Sequence, residues 1–198
     1  MKRSEINRAI RQAEAAFRDA GWTLPPKPRW DVTDFGLGRF EENGLVLVNL
    51  AEEPEYCEKI MFARRNQRTL AHCHARKKED IIVRRGALRV QVWLGKPDTA
   101  SGDVMVRVNG EDRTVASGEI LDLAAGERIT LRPGVFHEFW PVSESCVIGE
   151  VSTANDDRTD NYFADPEIGR FPGVTEDEPP VARLVSDCGS GEATSSAR

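Results

Sequence analysis

The stretch Leu70–Gly86, LAHCHARKKEDIIVRRG, holds two of the three histidines in this chain of 198 residues. Alternate residues of a strand point to the same face with Cα atoms roughly 6.5–7 Å apart, so His72 and His74 can approach one cation. Cys73 then faces away, and the polar turn ARKK lets Glu79 face the same point from the next strand. The alternative is a histidine pair on an exposed strand face, which binds no metal.

The third histidine, His137, lies in the segment RPGVFHEFW, where Pro133 and Gly134 predict a turn into another strand. Three neutral imidazoles and one carboxylate suit a divalent transition ion and leave coordination positions open for water or substrate. A random polar surface would not place every histidine of the chain in one site. The predicted metal ligands are therefore His72, His74, Glu79 and His137.

Short β-rich runs separated by turns extend from about residue 45 to residue 152. The clearest are LVLVNL, YCEKIMFAR, DIIVRRGALRVQVWLG, VMVRVNG, RTVASG, RITLRPG, FHEFWPV and CVIGEVS. Asn109 and Gly110 predict a tight hairpin, because both residues tolerate positive φ. Strands this short without intervening helices indicate an all-β fold, an antiparallel sandwich or barrel.

The segments on either side of the barrel differ in character. Residues 4–20 show a helical apolar face, with Ser4 as the predicted N-cap and Gly21 as the stop signal. The run TLPPKPRW that follows predicts no regular structure. Residues 153–185 are acidic and loop-like and are expected to close over the barrel. We predict one domain over residues 1–185 and a disordered tail over 186–198.

Composition restricts the partners and the compartment. A net charge of -6 and a pI near 5.2 argue against nucleic acid or an anionic membrane as a partner. No apolar run is long enough to cross a bilayer, and the N-terminal residues lack the apolar core of a secretory signal. The four cysteines have neither metal nor redox spacing, so we expect reduced thiols in the cytoplasm.

Two segments resemble the cupin motifs. HCHARKKEDIIVRRG is similar to the first motif, HxH(x)4E(x)6G, which ends here at Gly86, and PGVFH resembles the second motif shortened by one residue. Asn66 stands where the first motif often begins with glycine, and Pro141 stands where the second often ends with asparagine. The resemblance implies a jelly-roll β-barrel, in agreement with the strand pattern.

A longer resemblance covers most of the chain. HCHARKKEDIIVRRGALRV, GEVSTANDDRTDNYF and GRFPGVTEDEPP, in this order, are similar to the D-lyxose isomerases, which are cupin sugar isomerases that use manganese. The resemblance implies interconversion of D-lyxose and D-xylulose, often of D-mannose and D-fructose as well, and a homodimer. It implies Mn²⁺ as cofactor, with Co²⁺ or another divalent transition ion as the alternative.

Aldose–ketose isomerisation needs a base that moves a carbon-bound proton, and Glu79 is committed to the ion. Glu150 is an acid in an apolar strand, and alternation places it with Ile148, facing inward as a candidate base or as a carboxylate behind the ligands. Glu176 is a second candidate if the C-terminal segment closes over the barrel, although acidic runs are more often solvated. The sequence leaves open which carboxylate moves the proton.

Three further residues are candidates for the site. Lys77 can steady a developing oxyanion, or it can be an ordinary exposed turn lysine; the resemblance favours function, since HxHxxKxED is the pattern of the family. The resemblance also implies that Asp160 and Arg170 hold sugar hydroxyls.

Two other functions are compatible with the same barrel. An Fe(II) dioxygenase of cupin type would use the same four ligands, and a non-catalytic sugar-binding cupin would not need the ion. The extended resemblance disfavours the first, and retention of all four ligands with Lys77 disfavours the second.

Overall fold

Two antiparallel sheets and one helix make up the regular structure of the computed structural model, which describes residues 1–153, 159–169 and 173–188. The helix α1 is Arg3–Asp19. The strands are β1 Arg29–Thr33, β2 Leu45–Glu52, β3 Tyr56–Arg64, β4 Thr69–Cys73, β5 Glu79–Arg85, β6 Ala87–Leu94, β7 Asp103–Val108, β8 Glu111–Ala116, β9 Ile120–Ala124, β10 Arg128–Leu131, β11 Val135–Pro141, β12 Ser145–Thr153 and β13 Tyr162–Phe163.

The larger sheet has the order β1-β2-β3-β12-β5-β10-β7-β8, and the smaller has the order β13-β4-β11-β6-β9. Their inner faces share one apolar core that includes Ile81, Leu88, Ile129 and Ile148. The predicted all-β jelly-roll barrel of cupin type with an N-terminal helix is confirmed. Because β4 and β5 belong to different sheets, the ARKK turn crosses between the sheets, and this crossing brings residues of both toward one point.

The strand pattern was predicted well except at the margins. The hairpin at Asn109 and Gly110 is confirmed, with φ of 51° and 89°. The sequence did not predict β9 or β13. The sequence also predicts no regular structure for TLPPKPRW, whereas β1 begins within this run, at Arg29. β1 lies at the edge of the larger sheet. The missing N–H of Pro28, just before the strand, therefore removes no hydrogen bond from the interior of the sheet.

Helix α1 covers the outer face of the larger sheet. Ile6, Ile10, Ala13 and Phe17 pack there against strand residues such as Ile60. Ser4 is not the N-cap, because the helix begins at Arg3 and Lys2 takes the capping position. The Ser4 hydroxyl and backbone N–H instead donate to the Asp177 carboxylate, a partner that is distant in sequence.

The C-terminal segment is fastened to the start of the same helix. The Arg3 guanidinium, only 3% exposed, donates to both oxygens of Glu176 and to Asp187. Ser186–Cys188 form a 3₁₀ helix, so the predicted tail does not begin at 186; the Asp187 carboxylate accepts the Leu184 N–H and orders this turn. Residues 189–198 lie outside the described part. Treating residues 1–185 as one domain remains our proposal, supported by Leu184 packing on the helix side of the sheet.

Two further observations concern the cysteines and the length of the helices. Cys57, Cys73 and Cys146 are buried free thiols. Within the described residues, none of the helices combines the length and the apolar character needed to span a bilayer.

Candidate metal centre and active site

The four predicted ligands meet inside the barrel. His72 lies on β4, His74 follows its last residue, Glu79 opens β5, and His137 lies on β11 directly opposite His72. One ligand atom from each of the four lies within 4.8 Å of the others. All four residues are buried, with exposures of 8% or less. Cys73 faces the opposite side and packs against Trp93 and Phe136, as predicted.

Backbone carbonyls orient the three imidazoles. The Nδ1 atoms of His72, His74 and His137 lie 2.8, 2.5 and 3.1 Å from the carbonyl oxygens of Leu70, Asp160 and Val135. A carbonyl can only accept, so each Nδ1 carries the proton and each Nε2 keeps a lone pair. The rings are therefore fixed in the tautomer that binds a cation through Nε2.

The protonation of the cluster also suits a cation. Burial lowers the pKa of His72 well below its usual range, and the neighbouring His137 lowers it further. Burial lowers the pKa of His74 as well, and Glu79 offsets this only in part. Burial alone would raise the pKa of Glu79, but Lys77 and His137 outweigh it and hold that pKa well below the ordinary value. The site therefore presents neutral imidazoles at His72 and His74 and an ionised carboxylate at Glu79.

Three buried atoms of this cluster have no hydrogen-bond partner in the described chain: His74 Nε2, Glu79 Oε1 and His137 Nε2. The two Nε2 atoms lie 3.5 and 2.9 Å from the same Glu79 Oε1. Buried polar groups are normally paired, because an unpaired one costs about 1–3 kcal/mol. A divalent cation would satisfy all three atoms at once, so these residues fit the metal that the sequence predicts.

A buried ion-pair network adjoins the ligands. Lys77 Nζ lies 2.8 Å from Glu79 Oε2 and 3.0 Å from Glu150 Oε1. Burial by itself lowers the pKa of Lys77, but Glu150 and Glu79 outweigh it and raise that pKa above its ordinary value. Lys77 is 4% exposed, which excludes an ordinary surface lysine. Glu150 faces inward as alternation predicted, and Lys59 Nζ lies 3.7 Å from the same Oε1.

A cavity of about 730 Å³ opens onto the ligands and this network. Besides the charged groups, its wall contains apolar side chains, among them Phe35, Met61, Phe139 and Phe163. The Phe163 ring packs on the His72 ring with centroids 5.5 Å apart. The cavity thus combines apolar walls with converging polar and charged groups, as sites for small polar molecules do.

Two residues of the cavity, Lys59 and Phe163, were not predicted from the sequence. Lys59 is a charged residue in an apolar strand, and it pairs in register with Glu150. The alternation that placed Glu150 inward would have placed Lys59 inward as well. Phe163 follows an irregular segment and carried no comparable signal.

The remaining predicted site residues have different positions. Glu176 contributes to the cavity wall, but its carboxylate is paired with Arg3 and 56% exposed. The Asp160 carboxylate accepts the backbone N–H groups of Ala75, Arg76 and Lys77 and so positions the turn between the ligands. Its contact with a sugar hydroxyl stays a prediction. Arg170 lies outside the described residues.

Comparison with known proteins decides the family. The family model described as D-lyxose isomerase matches residues 27–188, a range that contains both sheets and all four ligands. The chain belongs to the D-lyxose isomerase family. Membership makes it a sugar isomerase of the aldose–ketose type, as the sequence predicted.

Relatives in this family match over nearly their whole length. The D-lyxose/D-mannose isomerase of Escherichia coli O157:H7 is 36% identical, with 93% of this chain and 96% of that protein covered. The D-lyxose ketol-isomerase of Cohnella laeviribosi is 31% identical, with 90% and 100% covered. The fold matches that of Cellulomonas parahominis L-ribose isomerase, with a TM-score of 0.68, 17% identity and 88% and 98% of the two chains covered.

A transition ion is expected to raise the melting temperature of this D-lyxose isomerase family member. At a free concentration 100 times its Kd, a ligand adds about 2.7 kcal/mol to the free energy of unfolding, or roughly 5–10 °C for a chain of this size. Thermal melts of chelator-treated protein with and without Mn²⁺ or Co²⁺ measure this. Mg²⁺ is the control and should shift the melt less, because it prefers oxygen donors. Equal shifts with all three ions would contradict an imidazole-rich site.

Proposed function

We propose that the protein is a Mn²⁺-dependent isomerase that interconverts D-lyxose and D-xylulose and also D-mannose and D-fructose. The observation that carries the proposal is the Lys77–Glu150 pair, buried in the cavity beside three histidines and Glu79. A site that only bound sugar would not need a buried base next to a metal centre. The names of the relatives supply the substrates, and the sequence resemblance supplies manganese.

His72, His74, Glu79 and His137 would hold the ion, with Co²⁺ as the alternative. The bound ion supplies electrophilic activation of the carbonyl of the open-chain sugar and stabilises negative charge on its oxygens. The Glu79 carboxylate is divided between two tasks: Oε1 faces the Nε2 atoms, and Oε2 accepts from Lys77. The same side chain thus connects the metal centre to the proton-transfer groups.

We assign Glu150 as the base that takes the proton from one of the two reacting carbons and returns it to the other. It is 6% exposed and lines the cavity without being one of the four ligands. Its low exposure limits contact with bulk water, which favours return of an accepted proton to the sugar over exchange with solvent. Glu176 remains the second candidate base, since it also contributes to the cavity wall.

Lys77 Nζ donates a hydrogen bond to Glu150 Oε1 over 3.0 Å and so fixes the position of this carboxylate. It can also donate a hydrogen bond to a sugar oxygen that gains negative charge during the reaction. Asp160 supports both roles indirectly. Its carboxylate accepts the backbone N–H of Lys77 and so fixes the turn that carries this residue.

The partner that we propose is a small uncharged sugar in the cavity, with no role for nucleic acid. We further propose a cytoplasmic homodimer. The dimer rests on the family resemblance, and the compartment is supported by the buried free thiols.

The experiment that tests the function is incubation of Mn²⁺-loaded protein with a panel of pentoses and hexoses, followed by chromatography of the products. We expect D-lyxose and D-mannose to give D-xylulose and D-fructose. Chelator-treated protein is the control and should give no product. Equal turnover without metal would contradict the proposal. So would a panel in which no sugar is isomerised, and so would a loss of substrate that depends on oxygen.

A further inference from the structure

Asn161 has a carboxamide oxygen that is buried and lacks a hydrogen-bond partner within the described part of the chain. Asn161 is one of the residues that line the cavity, together with His72, His74 and Glu79. The orphaned atoms of the adjoining metal cluster, His74 Nε2, Glu79 Oε1 and His137 Nε2, are those that a cation would satisfy. Asn161 is a poor addition to that set, because a neutral amide oxygen next to three imidazoles and a carboxylate is not needed to neutralise the ion.

Strand pairing fixes where this side chain points. β13 pairs with β4 so that Tyr162 is opposite Cys73 and Phe163 is opposite His72. Phe163 faces the cavity with His72, and Tyr162, which is 51% exposed, faces outward on the side of Cys73. Continuing this register by one residue places Asn161 beside His74 and on the cavity side.

Neighbouring contacts hold Asn161 in this position. The preceding residue, Asp160, accepts from His74 Nδ1 through its carbonyl and from three turn N–H groups through its carboxylate. The following strand is fixed by its pairing with β4. The backbone on either side of Asn161 is therefore tied to the metal-binding segment, while the carboxamide oxygen is left without a hydrogen-bond partner in the described chain.

From this geometry we infer that Asn161 binds a hydroxyl group of the sugar. A buried unpaired acceptor costs free energy, and a donor delivered by a ligand removes that cost. A hydroxyl suits either end of a carboxamide, since it both donates and accepts. The inference rests on the proposed function for the identity of the ligand, but it assigns Asn161 to binding and specificity and not to proton transfer.

The test compares Asn161→Leu, which keeps the approximate volume without hydrogen-bonding groups, with the wild-type protein. Both are loaded with Mn²⁺, and metal content is measured in each. We expect KM for the best substrate to rise about tenfold with kcat changed less than twofold, because the lost contact is made in both ground and transition states. Tyr162→Phe, at the adjacent residue that faces outward, is the matched control and should leave KM unchanged.

Sugar analogues identify the partner hydroxyl. Calorimetric titration with monodeoxy derivatives, each lacking one hydroxyl, should find one derivative that binds the wild type about tenfold more weakly than its parent and binds Asn161→Leu as well as its parent. Unchanged sugar affinity in Asn161→Leu, with wild-type turnover intact, would overturn this inference and leave the isomerase function standing. Asn161-dependent sugar binding without any turnover would support the inference and refute the function.

Discussion

The Glu150→Gln variant is expected to lose about 10²- to 10⁴-fold in kcat while it keeps its metal. Glutamine preserves the size of the side chain and its acceptor oxygen for Lys77, but it cannot take up the carbon-bound proton. Because Glu150 is not one of the four ligands, Mn²⁺ content should stay at the wild-type level. The measurements are kcat and KM for D-lyxose together with metal analysis of the purified variant.

Glu176→Gln is the matched comparison. The Glu176 carboxylate is 56% exposed and accepts two hydrogen bonds from Arg3, which lower its pKa and make it a weak base. We therefore expect Glu176→Gln to lose less than about tenfold in kcat. A larger loss in Glu176→Gln than in Glu150→Gln would make Glu176 the base and Glu150 a structural partner of Lys77. Circular dichroism of both variants separates loss of a proton acceptor from loss of the fold.

Three of the four candidate ligands, His72, His74 and Glu79, were predictable because their arrangement follows local rules. The HxH spacing places both imidazoles on one strand face, and a short turn returns the chain to Glu79. The motif departure at Asn66 proved harmless, since Asn66 adopts a φ of 63°, the left-handed conformation for which glycine is usually chosen. Gly86 is required, because a Cβ there would lie 2.5 Å from the Ser145 carbonyl oxygen.

Features that depend on distant partners were not predictable. Serine is a common N-cap residue, but the Ser4 hydroxyl donates its hydrogen bond to the Asp177 carboxylate instead. Lys77 belongs to a turn of three basic residues that is typical of solvent exposure, and only the approach of Glu150 from β12 explains its burial. The role of Asp160 depends on its contact with a turn more than 80 residues earlier in the chain. Neither periodicity nor spacing carries information on contacts of this kind.

The His74→Ala variant is expected to bind Mn²⁺ at least about 100-fold more weakly and to lose isomerase activity. Mutating a residue that hydrogen-bonds to a metal ligand already costs up to about 100-fold in metal affinity. Removing the ligand itself should therefore cost no less. Alanine also removes the hydrogen bond to the Asp160 carbonyl, which ties β4 to the segment before β13. Metal content after dialysis and the Mn²⁺ dependence of turnover measure the effect.

Cys73→Ala is the matched control for this prediction, because it truncates the adjacent residue, the last of β4. Cys73 packs on the outer side of the sheet with Trp93 and Phe136, so its loss removes apolar contact without touching the cluster. We expect full metal content and wild-type turnover in Cys73→Ala, with at most a modest fall in melting temperature. Equal metal loss in the two variants would mean that damage to β4, and not removal of an imidazole, empties the site. Metal retained by His74→Ala would remove His74 from the ligand set, and with it the reason for placing Lys77 and Glu150 beside a bound cation.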